Sequence, residues 1–119
     1  MEPEIYQIEY EEFIKDYKMM EVSGEKVGEV IARMAMYFAQ YNAKLVNATR
    51  KLSLIANVIE SKIDDNGKVI TSSKAKIATD STDEAYAESI AKSHIQNLEQ
   101  YLNSLKAMQK GIINEYLHQ

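Results

Sequence analysis

The 119-residue chain has no cysteine and no tryptophan, one proline, four glycines and two histidines. Each shortage removes a class of answer. Without cysteine there is no disulfide, no thiolate metal centre and no thiol nucleophile, and such usage fits a reducing compartment. One proline and four glycines cannot punctuate the many short strands of a sandwich or barrel, so the composition favours helices. No apolar run approaches the roughly 18 uninterrupted residues that suggest a membrane span. The opening Met1-Glu2-Pro3-Glu4-Ile5 is acidic and lacks the apolar core of a secretory signal. The expected location is therefore the cytoplasm, with no membrane partner.

What is present is periodicity. Apolar or aromatic residues stand at Val27, Ile31, Met34, Phe38, Tyr41, Leu45, Ala48, Leu52, Ile55 and Ile59, alternating steps of four and three. This is a heptad seam, the pattern that keeps one narrow stripe of a helix against a partner, as in a coiled coil. A helix carrying it from Val27 to Ile63 would be roughly 55 Å long and could not stand alone. A second seam runs through Ala87, Ala91, His94, Leu98, Tyr101, Leu105, Met108 and Ile112, behind Ser81 and Glu84 spaced as a capping box. Tyr6, Tyr10, Phe13, Tyr17 and Met20 repeat the rhythm on a shorter stretch. Val30, Tyr37, Val58, Ala35 and Ala56 widen the first long seam, which implies more than one neighbouring helix.

The expected architecture is all-α and a single domain over residues 1–119: a first helix over 5–20, a long one over 24–63 and a turn or small hairpin over 64–72. A short helix over 73–79 and a second long one over 82–117 complete it. Ser23 is the expected cap of the first long helix, and Ser72 or Ser73 that of the short one. Two long seams joined by a compact connector read as an antiparallel helical hairpin. Ile31, Met34, Phe38, Tyr41, Leu45, Leu52, Ile55, Leu98, Leu105, Met108 and Ile112 are its core or its contact with further copies, so a homo-oligomer is expected.

The net charge of −4 is unevenly spread: residues 1–30 carry nine acidic and three basic side chains, residues 31–76 three and eight, residues 77–119 six and three. A basic middle between acidic ends suggests an anion-binding zone, or a surface that meets the acidic segment of another subunit. Lys44, Arg50 and Lys51 stand among polar residues with no acidic residue within four positions. Lys62, Lys68, Lys74 and Lys76 extend the zone around the connector.

Catalytic and cofactor motifs are missing. No P-loop, G-x-S-x-G, H-E-x-x-H or G-x-G-x-x-G occurs. Asp64-Asp65-Asn66-Gly67 lacks the spacing of a calcium loop. Glu115 and His118 form one E-x-x-H, whereas a di-iron bundle needs two and further inward carboxylates. His94 falls on the seam, where a histidine held in the core is the simpler reading. No enzyme, metal or cofactor is expected.

Tyr37-Phe38 and Tyr41-Asn42 on a polar-faced helix, a basic connector, then Ser73-Lys74-Ala75-Lys76 leading through Ala78-Thr79-Asp80 into a long final helix, form a pattern. Over roughly residues 30–113 it resembles the UvsY-type recombination mediators of phages. That resemblance implies a small helical protein assembled as a ring of identical subunits in the host cytoplasm. It also implies binding to single-stranded DNA and the loading of a recombinase onto strands covered by single-strand-binding protein. The family's basic motif aligns with Val58 to Ile63, where Lys62 keeps the charge and Glu60 departs from it. On this reading Lys44, Arg50, Lys51, Lys62, Lys68, Lys74 and Lys76 contact phosphates. No aromatic lies between residues 42 and 85, so such binding would follow the backbone and ignore sequence. The alternatives are a protein-interaction module, a chaperone or an inhibitor of a host protein, that works through the acidic first helix without nucleic acid, and a purely structural self-assembling bundle.

Overall fold

A computed structural model describes residues 2–19, 22–63 and 66–117. It is all-α, with four helices: α1 (Ile5–Lys18), α2 (Gly24–Glu60), α3 (Ser72–Asp80) and α4 (Asp83–Leu117). The two long helices pack as an antiparallel pair. A Cβ on Gly24, the first residue of α2, would lie 3.4 Å from Ile112 near the end of α4. Further along α2, Thr49 reaches Glu88 near the start of α4. Among the described residues, no helix is long and apolar enough to cross a membrane.

The helix ends follow local hydrogen bonding. At α1 the backbone N–H of Glu4 donates to Gln7 Oε1 at 2.8 Å, and Lys15 and Lys18 suit the negative end of the dipole. The helix ends at Lys18, short of the expected residue 20; Met20 lies outside the described residues. Ser23 caps α2 as expected, accepting from the Lys26 N–H at 3.2 Å. That helix stops at Glu60 and not at residue 63. The Ser61 hydroxyl donates to the Val58 carbonyl at 2.7 Å, and Ile63 instead forms an isolated antiparallel bridge with Val69. Gly67 turns the chain there with φ +77°, a conformation that costs glycine little. One bridge is all that forms of the hairpin among the described residues, and Asp64 and Asp65 lie outside them.

Two caps differ from expectation by a residue or two. Thr71, not Ser72 or Ser73, caps α3, accepting from the Lys74 N–H at 3.3 Å, so the helix covers Ser72–Asp80 and takes in residue 72 of the expected turn. Thr82, not Ser81, caps α4, accepting from the Ala85 N–H at 3.2 Å. Ser81 is already committed to the end of α3, where its hydroxyl donates to the Ile77 carbonyl at 2.8 Å. Two residues separate the helices: both hydroxyls donate to carbonyls at the end of α3, Thr82 to that of Thr79 at 2.7 Å, and Thr82 caps α4 as well.

The chain divides into two compact units. The first, residues 1–40 and 96–119, joins α1 to the first part of α2 and the last part of α4. Its core holds Tyr6, Phe13, Val27, Val30, Met34, Leu98 and Leu105. Tyr6 lies 6.4 Å from the Tyr37 ring and 5.9 Å from Tyr101, while Tyr10 stacks on Tyr101 with centroids 3.8 Å apart. The tyrosine stripe of α1 is therefore a packing face, with Tyr17 at its edge 36% exposed.

The second unit, residues 41–95, holds the rest of α2, α3 and the first part of α4. Its buried apolar residues are Tyr41, Ile59, Ala75 and Ala91. His94 is half-buried with its ring 4.8 Å from Tyr41. Of the eleven seam residues, Met34, Tyr41, Leu98 and Leu105 are buried in their units, while Ile31, Phe38, Leu45, Leu52, Ile55, Met108 and Ile112 are half-buried. Val58 faces solvent, 61% exposed, so it does not widen the buried stripe.

Candidate nucleic-acid interface

All seven expected phosphate contacts fall in the second unit and all are exposed. Three sit on α2. Lys44 and Lys51 are seven residues apart, which places them on one edge of the helix, and Arg50 lies about 100° round from Lys51. The α2 portion of this unit has no carboxylate before Glu60. Lys44 also rests its ammonium 4.5 Å from the centroid of the Tyr41 ring, an arrangement that orients the charge without neutralising it.

Lys62 and Lys68 flank the turn, and Lys74 and Lys76 are on α3. Among the described residues, the ion pairs are Lys26–Glu29, Arg33–Glu9 and Lys92–Glu88. Lys44, Arg50, Lys51, Lys62, Lys74 and Lys76 take part in none of them. Lys76 lines an open groove of about 390 Å³ together with Glu60 and Asp80, so carboxylates share its surroundings.

Arg33, counted in the basic middle of the sequence, belongs to the first unit. Its Nε donates to Glu9 Oε2 at 3.1 Å, its Nη2 donates to Glu9 Oε1, and the Tyr37 hydroxyl donates to the same carboxylate at 2.9 Å. Nothing in the sequence announces this network, because 24 residues separate Glu9 from Arg33. It changes the charge map. The first unit has eleven acidic and six basic residues, net −5; the second has seven and eight, net +1.

The Arg33 guanidinium holds the Glu9 carboxyl below its usual range, partly opposed by desolvation and helped by the Tyr37 hydrogen bond. A depressed folded-state pKa contributes stability that is present above the unfolded value of about 4.3 and is lost as pH falls through the folded one. Glu9→Gln should therefore lower the thermal midpoint slightly at pH 7, with the difference from wild type shrinking as the pH is taken below about 4. The effect is small because Arg33 is 55% exposed and water screens the pair. A set of thermal melts from pH 3 to 7 (about four units spanning the transition) checks both the sign and the window.

On α4, Thr49 and Lys92 both donate to Glu88, at 2.8 and 3.2 Å, and together they hold its carboxyl below the ordinary value, the Thr49 bond contributing most. This contact fastens α2 to α4 on the side of α2 that bears Thr49 and leaves Lys44 and Lys51 in solvent. Among the described residues no group of three or more acidic or histidine side chains is placed to hold a metal. His118, half of the E-x-x-H pair, lies outside the described residues. The class defined by these elements is an all-α antiparallel helical hairpin with one added N-terminal helix. No protein-family model, curated protein or solved structure matches the chain.

Proposed function

We propose that the protein is a non-catalytic accessory factor of DNA recombination or replication that binds single-stranded DNA without sequence preference through its second unit. The observation that carries this reading is the row of exposed, unpaired cations: Lys44, Arg50 and Lys51 on a stretch of α2 free of carboxylates, with Lys62 and Lys74 beyond. Lysine and arginine in that state release counterions when they meet phosphates, and the release drives binding. No aromatic lies from 42 to 85, the stretch that holds the basic residues, so recognition by them is of the backbone; Tyr86, 63% exposed, lies beyond it on α4. Loading of a recombinase rests on the resemblance of residues 30–113 to the mediators.

Fluorescence anisotropy of a labelled oligonucleotide tests the reading. Wild type should bind single strands at about 50 mM salt and weaken steeply by about 200 mM, with a log–log slope near −0.7 for each phosphate neutralised. Lys44→Glu with Lys51→Glu removes two contacts from one edge of α2; affinity at low salt should fall about tenfold or more and the slope should flatten by about 1.4. An unchanged affinity and slope would overturn the assignment. Absence of binding at low salt would leave the protein-interaction module as the reading.

A further inference from the structure

Two helices carry apolar residues on the side turned away from their own cores, and those two sides carry opposite charge. On α1, Tyr6 and Phe13 are buried, while Ile5, Ile8 and Met19 are 65%, 41% and 68% exposed at its outer side and end. Ile5, Ile8 and Met19 step by three and eleven residues, with Glu12 between, so all four share one stripe. Glu11, Lys15 and Asp16 border that stripe, all exposed, so with Glu12 the face carries three acidic side chains and one basic. On the second part of α2, Tyr41 and Ile59 are buried, whereas Val46, Leu54 and Val58 are 61%, 58% and 61% exposed. Arg50 stands between Val46 and Leu54, so Val46, Arg50, Leu54 and Val58 succeed one another at steps of four.

We propose that α1 of one copy docks along the Val46–Val58 face of α2 in a second copy, with Glu12 opposite Arg50. The lengths agree: Ile5 to Met19 spans about 21 Å and Val46 to Val58 about 18 Å. The register agrees as well. Arg50 has an apolar residue four positions away on each side and Glu12 has Ile8 four positions before it. Pairing Glu12 with Arg50 therefore seats Ile8 on Val46 if the helices run parallel and on Leu54 if they run antiparallel.

Charge selects this pairing over its rivals. Two α2 faces set against each other would oppose Arg50 and Lys51 to their own copies, and two α1 faces would oppose Glu11, Glu12 and Asp16 to theirs, with Lys15 offsetting one charge on each. Like charges in contact disfavour both, whereas α1 on α2 brings acidic side chains to basic ones around an apolar strip. The contact is heterologous: each copy offers one helix and one receiving face, so copies add head to tail until a ring closes or a filament runs on.

Sedimentation velocity of the full chain over a range of concentrations, without nucleic acid, tests it. Wild type should associate, more strongly at low salt. Leu54→Glu, Arg50→Glu and Glu12→Arg should each weaken association about tenfold or more. All three residues are exposed, so circular dichroism and the thermal midpoint should stay near wild type. Mixing the Arg50→Glu and Glu12→Arg chains supplies the decisive arm. One contact then restores the native Glu12–Arg50 pair, and the next joins the two substituted side chains with their charges exchanged. The mixture should therefore associate about tenfold or more strongly than either chain alone. A wild type monomeric at every concentration, or a mixture no better than its parts, would overturn the inference. In the assembly Arg50 faces Glu12 and not phosphate, so the contact with nucleic acid rests on Lys44 and Lys51, whose role is read only with the oligonucleotide present and is touched by neither result.

Discussion

Leu105→Ala is expected to lower the free energy of unfolding by about 3–4 kcal/mol. Leu105 is fully buried in the first unit, at 0% exposure, on the seam of α4. Truncation removes the transfer free energy of the lost carbons and leaves a cavity that helices held on both sides cannot collapse to fill. Urea unfolding followed at 222 nm reads the loss as a fall in the midpoint of about 1–4 M, given slopes of about 1–3 kcal/mol/M for small proteins. Ile113→Ala is the companion variant. It lies eight residues along the same helix but is 51% exposed, and its cost should stay under about 1 kcal/mol. Equal losses at the two positions would mean that the α4 seam does not form the core.

The same contrast explains how much of this protein is legible in its sequence. A seven-residue repeat held over many turns has one good solution, a long helix against another, and the seams through Met34, Tyr41, Leu98 and Leu105 fix the helical hairpin without any knowledge of partners. Helix ends are less legible because they turn on single hydrogen bonds. On paper Ser81, with Glu84 at capping-box spacing, is the better cap, yet α3 runs on to Asp80 and takes Ser81 as its own end, and the Ala85 N–H finds the Thr82 hydroxyl instead. Periodicity also cannot tell burial from half-burial. Leu45, Leu52 and Ile55 keep the seam but share a unit in which α3 is the one helix besides the long pair, and they stay half-buried.

The candidate site divides in the same way. That Lys44, Arg50 and Lys51 lack acidic neighbours along the helix is visible in the sequence, since neighbours at three and four positions can be counted. That Arg33 is neutralised by Glu9 is invisible, since the partner comes from another helix. The exposed Val46, Leu54 and Val58 are hidden for the opposite reason: valine and leucine in a helix are read as core, and only their accessibility shows a second apolar face.

Tyr6→Ala should release α1. Tyr6 is 1% exposed and is the centre of the aromatic cluster, tilted against Tyr37 of α2 and Tyr101 of α4. Loss of a buried aromatic ring costs about 3–5 kcal/mol when the surroundings hold. Here the surroundings need not hold, because α1 has 14 residues and an isolated helix of that length is marginal in water. The variant should therefore lose helicity amounting to as much as those 14 residues, and limited proteolysis should cut within 5–18 while α2 and α4 stay intact. Tyr6→Phe separates packing from polarity. Burial pushes the Tyr6 hydroxyl above its ordinary value, so at neutral pH the exchange alters no charge, and the Asn97 Nδ2 contact it removes is long, at 3.5 Å. Its cost should be under about 1 kcal/mol, with full helicity kept. If instead Phe behaves like Ala, the hydroxyl and not the ring anchors α1, and the cluster of Tyr6, Tyr10 and Tyr101 is a consequence of docking rather than its cause.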